Sequence, residues 1–342
     1  MGSSEARVNL QKRMIESITR HLFKENVNGK YIPVGGMLPN GEDERDFEYG
    51  IFGDLFTYHP KHDERIIKTF STKDQSPYNN CVFQSYACSR EPDEGVALSA
   101  RSIVKYSRLK GYIKENGFSN LRSAQKAGVD FGIAEESLLP ESHIPWQTYS
   151  AGGNDVIVTE NAAIHKAKSF FRVIGRNQWL KALDENHTIH TGFTWRSSYN
   201  QTGGFKAPWI LRWGYGVPVG GHAVCSKGYR KKGDLIVFQN SFGKDWGDKG
   251  DFYVPTDNLR NIEGYVALDL EPSTVAQLIQ KYEGRDVKTN DSSAIYRIKN
   301  GKKCPYLNSQ TFFMCGGTFD PPSYQIISGT LLSNVELGNP MP

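Results

Sequence analysis

Asp74-Gln75-Ser76-Pro77-Tyr78-Asn79-Asn80-Cys81-Val82-Phe83-Gln84-Ser85 is the stretch around which the chain is organised. Its Ser, Pro and two Asn residues are turn formers that end an extended segment. From Cys81 onward the pattern reads as helix. A thiol at a helix N-terminus lies at the positive end of the helix dipole, which favours the nucleophilic thiolate. Gln75, six residues upstream, is placed to fold back beside that sulfur as a hydrogen-bond donor. A buried helix cysteine would fit the same residues, so the choice depends on residues far along the chain.

Two later stretches complete a chemical set. Gly220-Gly221-His222-Ala223-Val224 puts a histidine at the start of a buried strand. Phe238-Gln239-Asn240-Ser241-Phe242-Gly243, followed by Trp246-Gly247-Asp248-Lys249-Gly250, puts an asparagine at the end of the next strand. A nucleophilic thiol needs a base within hydrogen-bond reach, and that base needs an orienting group. Cys81, His222 and Asn240 supply these three roles. Gln75 and the backbone N–H of Cys81 would then hold a developing oxyanion.

The order, spacing and flanks of these segments resemble the papain-like cysteine peptidases. Asp74-Gln75 followed by Cys81, with Ser85 in the helix, matches the family's Gln-then-Cys spacing. Leu121-Arg122-Ser123-Ala124 through Gly128-Val129 is similar to the family helix that leads to a Pro-Glu-Glu turn, here Ala134-Glu135-Glu136. His222-Ala223-Val224 with Gly228-Tyr229, and Asn240-Ser241-Phe242-Gly243 with Trp246-Gly247 and Gly250, match the remaining two motifs. The resemblance covers residues 60–270. It implies two lobes, one helical and one β-barrel-like, with the active site in the cleft between them. It also implies peptide-bond hydrolysis through a Cys81 acyl-enzyme, with His222 as general acid/base and no metal or cofactor. Ala223, Phe242 and Trp246 are the candidate substrate-binding residues. The chain departs from the pattern in having Tyr78 where the family has a disulfide-forming Cys, Val82 for Trp, and Phe242 for Trp. The family's Gly-Gly substrate-binding segment is not evident in Gly117-Phe118-Ser119-Asn120, and its inhibitory pro-region motif is not recognisable in residues 1–60.

The coarse pattern of elements agrees. Val8, Leu10, Met14, Ile15, Ile18, Leu22 and Phe23 form one face of an amphipathic helix. Residues 26–66 read as an irregular wrap. Helices are expected over 81–92, 99–114, 121–127 (stopped by Gly128) and 178–184. Strands are expected over 187–195, 222–228, 235–240, 250–254 and 265–270. Helices first and antiparallel strands second is an α+β layout. The expected domains are 1–60, the N-terminal helix and wrap; 61–272, the peptidase-like body; 273–290, a linker with a short helix near 275–282; and 291–342, a small β-rich module. Ile295, Tyr296, Ile298, Tyr306, Leu307, Phe312, Phe313 and Ile326 are that module's expected core.

Composition sets the remaining bounds. The 342 residues carry a net charge of +4, with 12% aromatic residues, so the chain is globular and lacks a nucleic-acid footprint. Five widely spaced cysteines do not make a disulfide framework. Cys304 and Cys315 are the pair spaced to bridge, and they are expected to stay free. His59 and His62 have no carboxylate cluster to complete a metal site. The first residues lack an apolar run, so no signal peptide is expected, and no stretch approaches the roughly 18 apolar residues of a membrane span. A cytoplasmic place, or carriage in a larger particle, is therefore expected. The stretch Ile295–Gly317 resembles short modules of bacterial surface proteins and is a candidate anchor. The expected partner is a protein or peptide substrate, with a protein partner for the N-terminal helix or the C-terminal module. Two other readings use the same residues: a papain-like scaffold serving a larger assembly, and a transpeptidase or cell-wall amidase. Labelling of Cys81 by a peptidyl epoxide separates the scaffold from the enzymes.

Overall fold

The computed structural model describes residues 34–40, 49, 58–152, 156–199, 207–211, 213–269, 282–289, 292–320, 322–327, 332–333 and 335–342. The expected N-terminal helix and the expected short helix near 275–282 lie outside these residues.

The helical lobe is built on α1 (Cys81–Glu94), α2 (Ala100–Leu109) and α3 (Leu121–Asp130), with short α4 (Trp146–Ala151) and α5 (Val156–Ile164) beside them. Capping fixes where two of them begin. The Ser99 side chain accepts from the N–H of Ser102 ahead of α2, and Asn120 accepts from Ser123 ahead of α3. Tyr78, Val82, Phe83, Tyr86, Ile103, Leu121 and Ile133 pack together as this lobe's core.

Three helix ends differ from expectation. α1 runs through Pro92 to Glu94 and stops at Gly95, whose φ of 73° supplies the left-handed cap. Pro92 lies inside the helix and lacks the N–H that would otherwise bond the Cys88 carbonyl. α2 is shorter than expected, since Gly111 at φ 72° turns the chain. Gly128 does not stop α3 but lies inside it. A Cβ at that position would overlap the Tyr86 hydroxyl, so Gly128 lets α3 approach α1 closely.

The β lobe is an antiparallel sheet of β1 (Arg65–Ile66), β2 (Ser169–Val173), β3 (Ile189–Arg196), β4 (Pro218–Arg230), β5 (Leu235–Gln239), β6 (Asp251–Pro255) and β7 (Glu263–Leu268). Its order is β2-β7-β3-β4-β5-β6, with β1 paired to β4. The expected strands are all present with shifted ends, while β1, β2, α4 and α5 have no counterpart among the expected elements. α6 (Gly175–Asp184) lays Trp179, Leu180 and Leu183 against this sheet in a second core.

A smaller sheet, β10-β9-β8-β11, comes next along the chain, made from β8 (Asp286–Lys288), β9 (Ile295–Lys299), β10 (Lys302–Pro305) and β11 (Gln325–Ile326), with α7 (Ser309–Met314) beside it. Val287, Tyr296 and Ile298 join the β-lobe core, whereas Ile295, Tyr306 and Phe312 form a local one. Leu307, Phe313 and Ile326 are exposed, contrary to expectation. About 50 residues have too little interior to cover every apolar side chain.

Candidate active site

The turn before α1 is fixed from three sides. The N–H of Gln75 bonds Ser241 O at 2.9 Å and that of Gly243 bonds Lys73 O at 2.9 Å, tying this turn to the loop after β5. Lys73 Nζ pairs with Glu91 at 2.8 Å and Glu136 at 2.9 Å, which gives the Glu135-Glu136 turn its structural task. Tyr78 packs on Tyr149, with ring centroids 4.3 Å apart, and donates its hydroxyl to Ser142 O at 2.9 Å. Asn80 Nδ2 donates to Tyr149 Oη at 2.9 Å. An aromatic and hydrogen-bonded clasp thus holds the loop in which Tyr78 stands where the resemblance leads one to expect a disulfide.

Cys81 opens α1 and is fully buried. The backbone N–H groups of Ala223, Val82, Gly36 and Cys81 itself are directed at its sulfur. The bond from Ala223 sets the sulfur beside the β4 strand that carries His222. His222 Nε2 bonds Asn240 Oδ1 at 2.8 Å, and Asn240 Oδ1 also accepts the N–H of Ser241 at 2.8 Å. Nδ1 of His222 has no hydrogen-bond partner among the described residues. Trp195 meets the His222 ring edge-on with centroids 4.7 Å apart, and Phe242 lies over it at 4.9 Å. Trp246 backs Phe242 at 5.5 Å. Phe242 and Trp246 are therefore walls of the His222 site, while Ala223 packs in the helical-lobe core with Cys81. Gln75 Nε2 donates to Tyr78 O at 3.0 Å, and its Oε1 accepts from Ser241 Oγ at 2.6 Å.

The electrostatics differ from the sequence expectation of a thiolate. Burial pushes the Cys81 thiol up to about 12, with the surrounding N–H groups opposing it. Burial likewise holds His222 down to about 4, against the opposing bond to Asn240. At neutral pH the pair is thiol and neutral imidazole. Desolvation outweighs the helix dipole because both side chains are fully enclosed by protein.

The segment Val34–Asn40 crosses the cleft between the lobes and reaches the Cys81 sulfur through Gly36. The N–H of Met37 bonds Gly221 O at 3.0 Å, that of Leu38 bonds Ser119 O at 2.7 Å, and that of Ser119 bonds Gly36 O at 3.0 Å. The segment is thus paired on both sides, antiparallel to Gly221 and parallel to Ser119. Gly36 lies on the sulfur. A Cβ there would come within 3.2 Å of Cys81 Sγ and would overlap the Asn79 carbonyl. Gly36 presents its N–H to the sulfur, while its carbonyl is turned to Ser119.

Ser119, Trp195 and residues 34–40 are not singled out by the sequence. Ser119 acts through its backbone, which any residue type supplies, and Trp195 reads as an ordinary strand aromatic. The Gly35-Gly36 pair is the available signal for a close backbone approach.

No protein-family model matches the chain, and no functionally curated protein matches it in sequence. Solved structures do match. Xylellain, a cysteine protease from Xylella fastidiosa, is similar at 17% identity and a TM-score of 0.59, over 69% of this chain and 97% of that one. Procathepsin B S9 from Trypanosoma congolense matches at 16% and 0.52, over 75% and 97%. Digestive procathepsin L2 from Tenebrio molitor matches at 14% and 0.52, over 77% and 90%. The chain has the papain-like fold, an α+β architecture with a helical lobe, a β lobe and a cleft between them. Among the described residues no cluster of His, Cys, Asp and Glu is arranged to hold a metal, and no helix is long and apolar enough to cross a membrane.

Proposed function

We propose that the chain is a cysteine peptidase whose site is covered by Val34–Asn40, and that it hydrolyses peptide bonds of a protein or peptide once this segment leaves. The observation that carries the reading is the state of His222. One ring nitrogen is fixed on Asn240 at 2.8 Å, and the other has no hydrogen-bond partner among the described residues, on the strand whose next N–H touches Cys81 sulfur.

In the uncovered site water reaches both groups, and the desolvation that keeps them neutral falls. His222 Nδ1 takes the thiol proton. The thiolate attacks the substrate carbonyl carbon, and the oxyanion is held by the Cys81 N–H and by the Gln75 amide, each such donor supplying roughly 3–4 kcal/mol. The imidazolium then gives its proton to the leaving amine, and a thioester forms on Cys81. Water, deprotonated by His222, attacks the thioester and releases the acid. Asn240 keeps the ring in the plane that serves both transfers.

The test is labelling by a peptidyl epoxide. Gly36→Val forces the segment off Asn79 and is expected to raise the rate at least ten-fold. Cys81→Ala in the same background is expected to abolish labelling. An unlabelled Cys81 in folded, uncovered protein would remove the peptidase reading and favour a binding scaffold, which a permanently covered thiol would suit.

A further inference from the structure

α1 carries a second cysteine, Cys88, two helical turns along from Cys81. Like Cys81 it faces β4. Cys81 meets the Ala223 N–H, and Cys88 meets Cys225, two residues further along that strand. The Cys88 and Cys225 thiols share a hydrogen bond. Cys88 Sγ also donates to Gln239 Oε1 at 2.9 Å, and Gln239 is the register partner of Cys225 on β5. Directly paired residues of an antiparallel sheet point to one face. Helix thiol, strand thiol and amide therefore form one buried cluster where the helical lobe meets the β lobe. Neither cysteine is in a disulfide.

We propose that Cys88 and Cys225 are an oxidation site, which hydrogen peroxide converts into a disulfide that joins the helix of Cys81 to the strand of His222. Cysteines held far apart cannot be bridged without backbone movement, whereas these two thiols already touch. The Cys88 sulfur attacks one peroxide oxygen and the O–O bond breaks. The departing hydroxide takes the thiol proton, leaving a sulfenic acid and one water. The Cys225 sulfur then attacks the Cys88 sulfur, and the S–O bond breaks. The second hydroxide leaves with the Cys225 proton as water. Two thiols lose two electrons in all, and one peroxide gains them. Gln239 gives up a weak S–H donor but keeps its own bond from Nε2 to Thr69 Oγ1 at 2.9 Å, which holds β5 in place. Burial, and then the bond to Cys225, holds the Cys88 thiol well above its ordinary range. Little thiolate is present, so oxidation follows local opening of the α1–β4 contact and is slow.

Two experiments on the full chain test this. In the first, the native protein is reduced, freed of reductant, held with millimolar hydrogen peroxide, and digested without reduction for mass spectrometry. The peptides of Cys88 and Cys225 are expected to be joined in most molecules and to separate again in dithiothreitol. Cys225→Ala is expected to abolish the joined peptide. The outcome that overturns the assignment is a chain in which both cysteines remain thiols, carry separate oxyacids, or pair with Cys304 or Cys315 instead.

The second experiment needs no variant. A bond between Cys88 and Cys225 closes a long loop and restricts the unfolded chain. The oxidised protein is therefore expected to unfold about 5 °C above the reduced one, with the difference removed by dithiothreitol. An unchanged or lowered midpoint in chains that carry the joined peptide would mean that the bond distorts the α1–β4 contact, and would overturn a site built to accept it. Neither readout uses peptide hydrolysis, so failure of the peptidase reading leaves both measurements decisive.

Discussion

In the proposed mechanism His222 concentrates the chemistry in a single ring. Asn240 bonds Nε2, Trp195 and Phe242 pack on the ring, and Nδ1, which has no hydrogen-bond partner among the described residues, would carry the proton. Asn240→Ala would leave a buried N–H unpaired, at about 1–3 kcal/mol. If that cost appears in the transition state, kcat should fall roughly 5- to 150-fold, by the usual 1.4 kcal/mol per factor of ten, with KM little changed. Steady-state kinetics of the Gly36→Val protein with and without Asn240→Ala measure it, and a change confined to KM would show that Asn240 serves binding instead. At this scale the sequence is informative. Cys81, His222 and Asn240 each stand out from their flanking turns and strands, and the fold brings Asn240 to His222 and the His222 strand to the Cys81 sulfur. Trp195 is not, because stacking on His222 is satisfied by an aromatic ring that also suits any strand.

At the scale of elements, α1 carries Cys81 and is held by its neighbours rather than by its own cap. The Asn80 side chain makes no capping bond and instead donates to Tyr149. Gly128 of α3 shows the closeness of the packing. Gly128→Ala should destabilise the fold by about 1–3 kcal/mol through overlap with Tyr86, visible as a lower urea midpoint with unchanged slope. The buried Lys73–Glu91 pair is the other anchor. Lys73→Ala would leave the Glu91 carboxylate short of its cation, a loss of about 3–5 kcal/mol by the same measurement. Neither role is legible in the sequence. A glycine that stops a helix and one that admits a neighbouring hydroxyl look alike until the neighbour is known.

For the whole molecule, burial of ionisable groups ties stability to pH. Burial holds His222 down to about 4 and His190 down to about 3. In the unfolded chain both return to roughly 6.5. Their folded values are depressed, so the stability they contribute is fully present above about pH 6.5 and is lost as pH falls toward 4 and 3. Asp93 acts in the opposite sense. Burial raises it to about 6, so it adds stability as pH falls from about 6 toward 4. Two imidazoles outweigh one carboxyl. Going from pH 7 to pH 5 should therefore cost on the order of 2–3 kcal/mol, read as a falling unfolding midpoint. A midpoint that holds or rises over that interval would contradict the burial of these groups.

The division between chain and fold reflects the range of the interactions. Helix, turn and strand signals act over a few residues, so the helical first half, the β second half and the order of Cys81, His222 and Asn240 are readable along the chain. The covered cleft is not. Gly36 on Cys81, Met37 between Gly221 and Ser119, and the Met37 side chain over Gly192 join positions up to nearly two hundred residues apart through backbone groups and missing side chains. The protonation state obeys the same rule. A cysteine at a helix start reads as a thiolate, yet burial in the folded protein makes it a thiol, because water access is a property of the assembled surface and not of the sequence around Cys81.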